Sequence, residues 1–233
     1  MIYALIVAAG KGSRIGSDTP KQFLNCKGNP ILTYTIKAFE DNPKIGEIVI
    51  VTSFDYIDVV KNYIKLYNFK KVSAVIPGGD TRQLSVFSGL NYISNNCVIE
   101  NDYVLIHDGA RPLVSQEIIN ANCEALKTHE CVCTVINDTD TTYFSQDGSK
   151  IDSIMDRNCL YFAQTPQSFK FRTIFKIHKD AYGNRDLSST DDIQLASRAR
   201  KEIFLVRGSK RNIKVTTPED LQILGALLTT PKF

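Results

Sequence analysis

The sequence lacks any apolar run long enough to cross a bilayer, and it lacks a run of basic residues. The longest apolar runs, such as Ala4–Ala9 and Val104–Ile106, are far shorter than the roughly 20 residues of a membrane-spanning helix. The 28 Lys and Arg are nearly balanced by 25 Asp and Glu, which leaves a net charge of +3. A protein that coats nucleic acid is usually much more basic. These absences predict that neither a membrane nor a nucleic acid is a partner.

Cysteine and histidine are present without the spacing of a metal site. No Cys-x-x-Cys occurs, Cys131 and Cys133 are two residues apart, and the three histidines show no ligand spacing to each other or to the cysteines. No basic segment, longer apolar stretch or cleavage site precedes the strand-like run at Ile2, so we expect no secretory signal. We therefore expect a cytoplasmic protein whose six cysteines are free, mostly buried thiols.

The 233 residues, 43% apolar and 23% charged, fit one globular domain. Short β-branched runs alternate with amphipathic segments, a pattern typical of a mostly parallel α/β sheet with helices on both faces. The predicted strands are Ile2–Ala8, Glu47–Thr52, Lys71–Ile76, Tyr103–His107, Val132–Ile136 and Ile203–Val206. The predicted helices are Ile31–Glu40, Asp55–Leu66, Arg82–Ser94, Gln116–Lys127, Phe171–Ala181, Asp191–Arg200 and Pro218–Leu228.

One region, Asp138–Arg157, interrupts this alternation. Apolar residues do not recur at helical spacing in this region. Two short strand-like segments, Thr141–Phe144 and Lys150–Ile154, flank a turn that contains Asp147-Gly148. We predict a β-arm that projects from the domain. It serves as a dimerisation or substrate arm, or it is a surface hairpin without a role.

The loop after the first predicted strand is rich in glycine. Ligands of open α/β sheets bind beyond the carboxyl ends of the strands, and Gly10, Gly12 and Gly16 allow successive N–H groups to approach a phosphate. Arg14 and Lys21 add positive charge. The spacing is neither that of a dinucleotide-binding loop nor that of a Walker A loop. A phosphate-binding loop is predicted, and a tight turn without a ligand is the alternative.

Other chemistry-bearing residues also follow strands. Gly78 and Gly79 allow close approach of a flat ligand such as a base. Asp108 is placed to bind a divalent metal on a triphosphate, Arg111 to pair with an aspartate or a phosphate, and the basic segment 208–216 to bind a phosphate-bearing ligand.

Each of these residues also has a purely structural interpretation. Asp80 and Asp108 are suited to cap a helix or a turn, and Arg111 to form a structural ion pair. His107 is more typical of a buried, hydrogen-bonded histidine than of a catalyst, and the basic segment of a solvated loop.

Eight short motifs follow one another between Ile2 and Leu221. They read Ala8-Ala9-Gly10-Lys11-Gly12-Ser13-Arg14, Pro20-Lys21-Gln22-Phe23, Gly78-Gly79-Asp80-x-Arg82-x-x-Ser85-Val86, His107-Asp108-Gly109-Ala110-Arg111-Pro112, Asp156-Arg157, Gln164-Thr165-Pro166-Gln167, Thr190-Asp191-Asp192 and Asn212-Ile213-Lys214-Val215-Thr216-x-Pro218-Glu219-Asp220-Leu221. In this order the sequence resembles the 2-C-methyl-D-erythritol 4-phosphate cytidylyltransferase family. The resemblance implies a Rossmann-like nucleotidyltransferase domain of the glycosyltransferase-A-like type, a three-layer sandwich with a protruding β-arm. It also implies CTP as donor, Mg²⁺ as cofactor and a homodimer joined through the arms.

The resemblance further implies roles for single residues. The implied catalytic residues are Arg14, Lys21, Asp108 and Lys214, with Asp108 also facing the metal. The implied CTP-binding residues are Ala8, Ala9, Gly10, Gly12, Ser13, Gly79, Asp80, Arg82, Ser85 and Gly109. The implied acceptor-binding residues are Arg111, Thr141, Arg157 and Thr190, of which Arg157 and the arm threonine reach the site of the neighbouring subunit.

The base of the arm departs from the family pattern. Methylerythritol-phosphate enzymes usually carry Asp-Thr-x-Lys there, but this chain reads Asp138-Thr139-Asp140-Thr141-Thr142-Tyr143. Counting favours Thr141 over Thr139 as the matching threonine, and neither choice supplies the lysine. Ribitol-5-phosphate cytidylyltransferases also lack it, yet they usually read His-Asp-Ser-Val-Arg-Pro and Ala-Gly-Gly, unlike the corresponding motifs here.

We therefore predict CMP transfer to 2-C-methyl-D-erythritol 4-phosphate with release of pyrophosphate. The alternative acceptor is D-ribitol 5-phosphate, for a wall or capsule polymer. A more remote alternative is a nucleotide-binding regulator without turnover. A nicotinamide dehydrogenase does not fit, because the glycine spacing is wrong and no ribose-binding acid falls at the expected place.

Overall fold

The computed structural model describes residues 1–10, 19–96 and 102–230. The strands are β1 (Ile2–Ala8), β2 (Asn25–Cys26), β3 (Asn29–Pro30), β4 (Glu47–Thr52), β5 (Val72–Pro77), β6 (Tyr103–Asp108), β7 (Cys131–Asn137), β8 (Thr142–Phe144), β9 (Ser153–Met155), β10 (Tyr161–Lys170) and β11 (Phe204–Arg207). The helices are α1 (Ile31–Glu40), α2 (Ile57–Leu66), α3 (Arg82–Asn96), α4 (Gln116–Ala125), α5 (Phe171–Gly183), α6 (Asp192–Arg198) and α7 (Pro218–Thr229). Short 3-10 turns lie at Lys21–Phe23, Phe54–Tyr56 and Arg157–Cys159.

The main-sheet strands and the helices that were predicted are all present, with ends that differ by at most two residues.

The central sheet has the strand order β11-β7-β10-β6-β1-β4-β5. Neighbouring strands are parallel, except that β10 runs antiparallel to both β6 and β7. The prediction of a mostly parallel α/β sheet is confirmed.

Strand β10 was not predicted, although it lies near the middle of the sheet. Its central sequence, Gln164-Thr165-Pro166-Gln167, is polar and contains proline, which normally argues against an inner strand. The register with β7 shifts between Ala163 and Gln167, and a proline is tolerated at such an irregularity. The polar side chains of Gln164, Thr165 and Gln167 are buried but hydrogen-bonded, so the loss of water is compensated.

Hydrophobic residues cover both faces of the sheet. Along β1, Ala4 and Ile6 pack with residues of α1, α2 and α4, whereas Tyr3 and Leu5 pack with residues of α3, α5 and α6. Successive side chains of a strand point to opposite faces, and all four are almost fully buried. The result is the predicted three-layer sandwich, stabilised by roughly 1.5–3 kcal/mol for each large aliphatic side chain that is fully buried.

The start of α7 shows how local sequence sets a helix end. The Thr217 hydroxyl accepts a hydrogen bond from the backbone N–H of Asp220 (3.3 Å), and the Asp220 carboxylate accepts one from the N–H of Thr217 (2.9 Å). This reciprocal pair is a capping box, and Pro218 occupies the first helical position, where its missing N–H costs nothing.

The interruption after β7 is a hairpin. Strands β8 and β9 pair antiparallel, with Thr142 opposite Met155 and Phe144 opposite Ser153. The second strand begins three residues later than predicted, because the connecting turn is longer: the Asp152 carboxylate accepts a hydrogen bond from the N–H of Gln146 (2.8 Å). Gly148 has φ +73°, a left-handed conformation that favours glycine.

The cysteines of the described residues are free. Cys26, Cys123, Cys131 and Cys133 are buried and Cys159 is exposed, whereas Cys97 lies outside the described residues. Over the same part of the chain, the structure has no helix with the length and apolarity needed to cross a membrane.

Candidate active site

A cavity of about 520 Å³ opens at the carboxyl ends of β1, β4, β5 and β6. Its volume suits a small-molecule ligand. The predicted site residues that line it are Ala8, Ala9, Gly10, Lys21, Gly79, Asp80, Arg82, Ser85, Asp108 and Lys214. These residues come from five separate segments of the chain, and the strand ends bring them together.

The remaining predicted site residues lie elsewhere. Gly12, Ser13 and Arg14 lie outside the described residues. Gly109 is buried behind the cavity wall, where an added Cβ would lie 3.1 Å from Ala8 Cβ. Within the described part of the chain, the lining also does not include Arg111, Thr141, Arg157 or Thr190.

One wall of the cavity is packed too tightly for a side chain at Gly78. An added Cβ would lie 2.6 Å from Ala9 Cβ and 2.7 Å from Ser85 Oγ. The Ser85 hydroxyl accepts a hydrogen bond from the Gly79 N–H (3.2 Å) and donates to the Thr81 carbonyl (2.9 Å). Because this wall is backbone and small side chains, a flat ligand can approach it closely.

The cap at the start of α3 is Thr81, whose hydroxyl accepts a hydrogen bond from the Leu84 N–H (3.1 Å). Asp80 was the candidate cap in the structural interpretation of the sequence. In the structure Asp80 is exposed and lines the cavity, where its carboxylate is available to a ligand.

Asp108 is the electrostatic centre of the cavity. Its Oδ2 atom lies 2.8 Å from Lys214 Nζ and 3.7 Å from Arg111 Nε, and its Oδ1 atom lies 3.3 Å from Arg82 Nε. Burial alone would raise the pKa of Asp108, but the charges of Arg82, Lys214 and Arg111 outweigh burial and hold that pKa well below its usual range. Asp108 is therefore a carboxylate at any physiological pH.

Arg111 is held away from the cavity. Its side chain is largely buried, and its Nη1 atom donates to the carbonyl of Asn212 (2.8 Å) in addition to facing Asp108. The geometry favours the ion-pair interpretation of this residue. Its predicted contact with an acceptor stays a prediction.

His107 is a structural residue. Its Nε2 atom lies 3.1 Å from the carbonyl of Arg111, which only accepts, so Nε2 bears the proton. The other ring nitrogen, Nδ1, accepts from the Thr165 hydroxyl (3.0 Å), which in turn accepts from the N–H of Asp108 (3.1 Å). Burial lowers the pKa of His107 to about 4, so the ring is neutral and fixes the position of the Asp108 backbone.

The loop that carries Lys214 is anchored by buried amides. Asn212 Nδ2 donates to the Thr165 carbonyl (2.9 Å) and to Gln164 Oε1 (3.1 Å), and Gln164 Nε2 donates to the Ser209 carbonyl (2.9 Å). The backbone N–H of Val215 donates to the Ala110 carbonyl (2.9 Å). These contacts fix a long loop beside Asp108, and their partners are too far apart in sequence for spacing to reveal them.

Lys21 is positioned by its neighbour. Gln22 is buried, and its Nε2 atom donates to the carbonyls of Ala8 (2.6 Å) and Gly10 (3.0 Å). This side chain ties the short turn with Lys21 to the end of β1, and so holds a second lysine at the cavity.

The base of the arm holds a second group of cations. Arg157 Nη1 donates to the Thr139 carbonyl (3.4 Å), and Lys210 Nζ donates to the Thr139 hydroxyl (3.1 Å). Thr141 is exposed just before β8. The structure thus groups Arg157 with Thr139, which was the alternative to Thr141 in the sequence analysis, and adds Lys210 as a partner that was not predicted.

Several lining residues were not singled out from the sequence. Ser53 and Phe54 follow β4, and Phe54 is 78% exposed although it is aromatic. Position alone was the available signal, because these residues follow a predicted strand at its carboxyl end.

Thr190, a predicted acceptor-binding residue, lies outside the cavity lining. The side chain of Thr190 is exposed, and its N–H donates to Gln194 Oε1 (3.1 Å).

The family model, the curated relatives and the solved structures that match this chain all point to one family of cytidylyltransferases. The profile of the 2-C-methyl-D-erythritol 4-phosphate cytidylyltransferase family matches residues 2–230. The chain is 41% identical to the 2-C-methyl-D-erythritol 4-phosphate cytidylyltransferase of Clostridium novyi, over 98% of this chain and 97% of that protein. It is 36% identical to a ribitol-5-phosphate cytidylyltransferase of Streptococcus agalactiae, over 97% and 95%. Among solved structures, the 4-diphosphocytidyl-2C-methyl-D-erythritol synthase of Anaerococcus prevotii aligns with a TM-score of 0.84 at 29% identity, over 98% and 96% of the two chains.

Proposed function

Because the chain belongs to the 2-C-methyl-D-erythritol 4-phosphate cytidylyltransferase family, a family of CTP-dependent nucleotidyltransferases, we propose that it transfers CMP from CTP to 2-C-methyl-D-erythritol 4-phosphate. The observation that supports this best is the cavity itself. It combines a wall of glycine and small side chains with two lysines, Lys21 and Lys214, and the carboxylate of Asp108. The wall can accept the flat base of a nucleotide, and the two lysines can bind its phosphates.

The proposed reaction needs charge and position more than it needs a base. An oxygen of the acceptor phosphate attacks the α-phosphorus of CTP in line, the bond from that phosphorus to the β-phosphate oxygen breaks, and pyrophosphate leaves. The acceptor is already largely anionic at neutral pH, so no strong proton acceptor is required. Lys21, Lys214 and the predicted Arg14 would offset the negative charge on the phosphates and hold the two anions together.

Mg²⁺ is proposed as cofactor, and the donor set suits it. No group of three or more acidic, histidine or cysteine side chains that could hold a metal exists in the described residues. Mg²⁺ is usually held by one or two carboxylates together with substrate phosphates. The oxygens of the ionised Asp108 are already paired with Arg82, Lys214 and Arg111, so Asp108 would hold the ion indirectly, through the phosphates of CTP. When bound, the ion would neutralise phosphate charge.

We also propose that the working unit is a cytoplasmic homodimer, each subunit a single domain joined to its partner through the arm at about residues 138–157. The arm has many exposed apolar side chains for its size, and the start of β10 has two more. They are Tyr143, Phe144, Ile151, Ile154, Met155, Tyr161 and Phe162. Such a cluster is typical of a surface that another protein covers. Free thiols in the described residues suit a reducing compartment.

D-Ribitol 5-phosphate is the second candidate acceptor. One sequence feature favours it: the arm base has no lysine within Asp138–Tyr143. Relatives named as ribitol-5-phosphate cytidylyltransferases are 36–37% identical to this chain.

One assay tests the function and the acceptor together. Purified protein is given CTP, Mg²⁺ and each acceptor in parallel, and pyrophosphate release is measured. We expect release with 2-C-methyl-D-erythritol 4-phosphate and much slower release with D-ribitol 5-phosphate. The reverse order would change the acceptor, and no release with either would refute the proposed function.

The same assay applied to Lys21→Ala tests the mechanism. We expect turnover to be lost while the circular dichroism spectrum and the unfolding midpoint stay close to wild type. Near-normal activity of this variant would refute the role of Lys21.

A further inference from the structure

A chain of buried polar contacts leads from the cavity into the protein. Arg82, the first residue of α3, contacts Asp108 through Nε (3.3 Å) and Asp192 Oδ2 through Nη1 (2.7 Å). The other oxygen of Asp192, Oδ1, lies 2.9 Å from Nε2 of His178 on α5. The contacts therefore run from His178 to Asp192, to Arg82 and finally to Asp108.

The inner part of this series of contacts, formed by Asp192 and His178, is remote from solvent and from the cavity surface. The side chains of Asp192 and His178 are 1% and 0% exposed, and neither belongs to the cavity lining given by the described residues. A buried carboxylate costs stability unless it is paired and hydrogen-bonded. Burial alone would raise the pKa of Asp192, but Arg82 and His178 together lower it, so this residue is kept as an anion.

The carboxylate of Asp192 does not cap α6, although Asp192 is the first residue of that helix. The preceding residue, Asp191, caps the helix by accepting a hydrogen bond from the N–H of Gln194 (2.8 Å). The backbone of Asp192 is held separately, because its N–H donates to Oε1 of Gln167 on β10 (2.9 Å). The carboxylate of Asp192 is left to contact Arg82 and His178.

The geometry determines which edge of the guanidinium faces Asp108. Asp192 takes Nη1, so Arg82 presents Nε to Asp108 at the longer distance of 3.3 Å. An arginine without this second partner can turn its two-nitrogen edge to a single carboxylate and form a bidentate pair. Arg82 would then compete with Lys214 for Asp108.

We propose that Asp192 and His178 are positioning residues for CMP transfer, which act through Arg82 to keep the carboxylate of Asp108 aligned with Lys214. This inference rests on the proposed function. His178 fixes one oxygen of Asp192, and Asp192 fixes Arg82. Arg82 then leaves the second oxygen of Asp108 to Lys214 (2.8 Å), with Arg111 at the longer distance of 3.7 Å.

The test compares Asp192→Asn, His178→Leu and His178→Gln with wild type. The leucine variant removes the donor to Asp192, whereas the glutamine amide can still donate. We expect kcat to fall roughly 10- to 100-fold in Asp192→Asn and His178→Leu, because a small misplacement of charged groups has effects of this size. The dissociation constant of CTP, measured by calorimetry with Mg²⁺, should change by less than about threefold, as expected for an interaction that matters mainly in the transition state. His178→Gln should restore kcat to near the wild-type value.

A matched control breaks a different aspartate–arginine pair. Asp186→Asn removes the exposed pair between Asp186 and Arg198 (2.9 Å), and it should leave kcat unchanged. The double variant Asp192→Asn/His178→Leu should be no slower than Asp192→Asn, since residues that act in series are not additive.

The outcomes separate this inference from the proposed function. Unchanged kcat in folded Asp192→Asn and His178→Leu, with wild-type turnover intact, would overturn the inference alone. Absence of pyrophosphate release by the wild type would count against the proposed function. If Asp192→Asn does not fold, equal kcat in His178→Gln and His178→Leu would overturn the inference.

Discussion

Lys214 Nζ and Asp108 Oδ2 lie 2.8 Å apart, so two groups of opposite charge at the cavity are paired with each other. Asp108 ends β6, and Lys214 lies on the loop between β11 and α7. Their separation of more than 100 residues along the chain makes this pair a product of the fold.

Lys214→Met should abolish most turnover without unfolding the protein. The lysine side chain is 38% exposed, so its loss leaves no large cavity, and Arg82 and Arg111 still compensate Asp108. Transition-state stabilisation by one charged donor is worth on the order of 10²–10³ in kcat, and we expect a fall of that size in pyrophosphate release. Lys201→Met, which breaks a surface pair with Glu130 (2.9 Å), is the control. Equal activity of the two variants would contradict the role of Lys214.

Gly78→Ala should weaken CTP binding. The new methyl group would meet Ala9 Cβ at 2.6 Å and Ser85 Oγ at 2.7 Å, so the wall of the cavity has to shift. We expect a rise in the KM for CTP of at least about tenfold, which corresponds to about 1.4 kcal/mol. Gly183→Ala is the matched control, since nothing lies within 4 Å of its added Cβ at the end of α5. A KM for CTP that is the same in both variants would contradict this account of the wall.

Phe54→Ala should raise the KM for CTP while leaving kcat nearly unchanged. The ring is 78% exposed at the edge of the cavity, so it is free to contact the nucleoside, and its removal costs the folded protein little. Loss of one aromatic contact is worth about 0.5–1.5 kcal/mol, equivalent to a rise in KM of roughly two- to tenfold. Leu66→Ala removes another exposed apolar side chain (76%) at the end of α2 and should have no effect. Identical kinetics of both variants would exclude Phe54 from the CTP site.

Lys210→Met should raise the KM for the acceptor and leave the KM for CTP unchanged. Lys210 and Arg157 bracket Thr139 at the base of the arm, and together they form a cationic patch of the kind that a phosphate prefers. Lys176→Met, which breaks a helical pair with Asp180 (2.6 Å), serves as the control. If Lys210→Met instead raises the KM for CTP alone, the patch belongs to the nucleotide and not to the acceptor.

The buried thiols should resist alkylation at pH 8.5. Burial raises the pKa of Cys133 to about 12 and those of Cys123 and Cys131 to about 11, so the reactive thiolate is scarce below those values. In a Cys97→Ser background, iodoacetamide should label the exposed Cys159 first. Cys123, Cys131 and Cys133 should react only after denaturation, as read by mass spectrometry of peptides. Rapid labelling of Cys133 in the folded protein would contradict the burial of this side chain.

Local patterns were sufficient for the parts of the fold that are locally determined. The run from Ile2 to Ala8 is β1 because a nearly continuous apolar segment suits a strand covered on both faces. Helix α7 begins where Thr217 and Pro218 predict it. Strand β10 was missed because Gln164, Thr165 and Gln167 are polar, and their burial depends on partners that no local pattern reveals.

The candidate site divides in the same way. Asp108 was predicted because a polar residue at a strand end, followed by glycine, is a local signal, whereas the role of Lys21 came from the family resemblance. The contact between Arg82 and Asp192 joins positions 110 residues apart, and the grouping of Thr139 with Lys210 joins positions 71 apart. Such pairs require the folded chain, since one sequence contains no measure of distance between its segments.

Strand β10 also determines where the chain is free to vary in evolution. Its first residues, Tyr161 and Phe162, adjoin the arm, and a few residues later Thr165 holds the backbone of Asp108. An inserted residue between them would reverse the direction of every side chain on one side of it, and would move Thr165 away from its partner. The exposed turn between Phe144 and Ser153 has no such constraint. Lineages should therefore differ in the length of the arm tip, while the spacing from arm base to active site stays fixed.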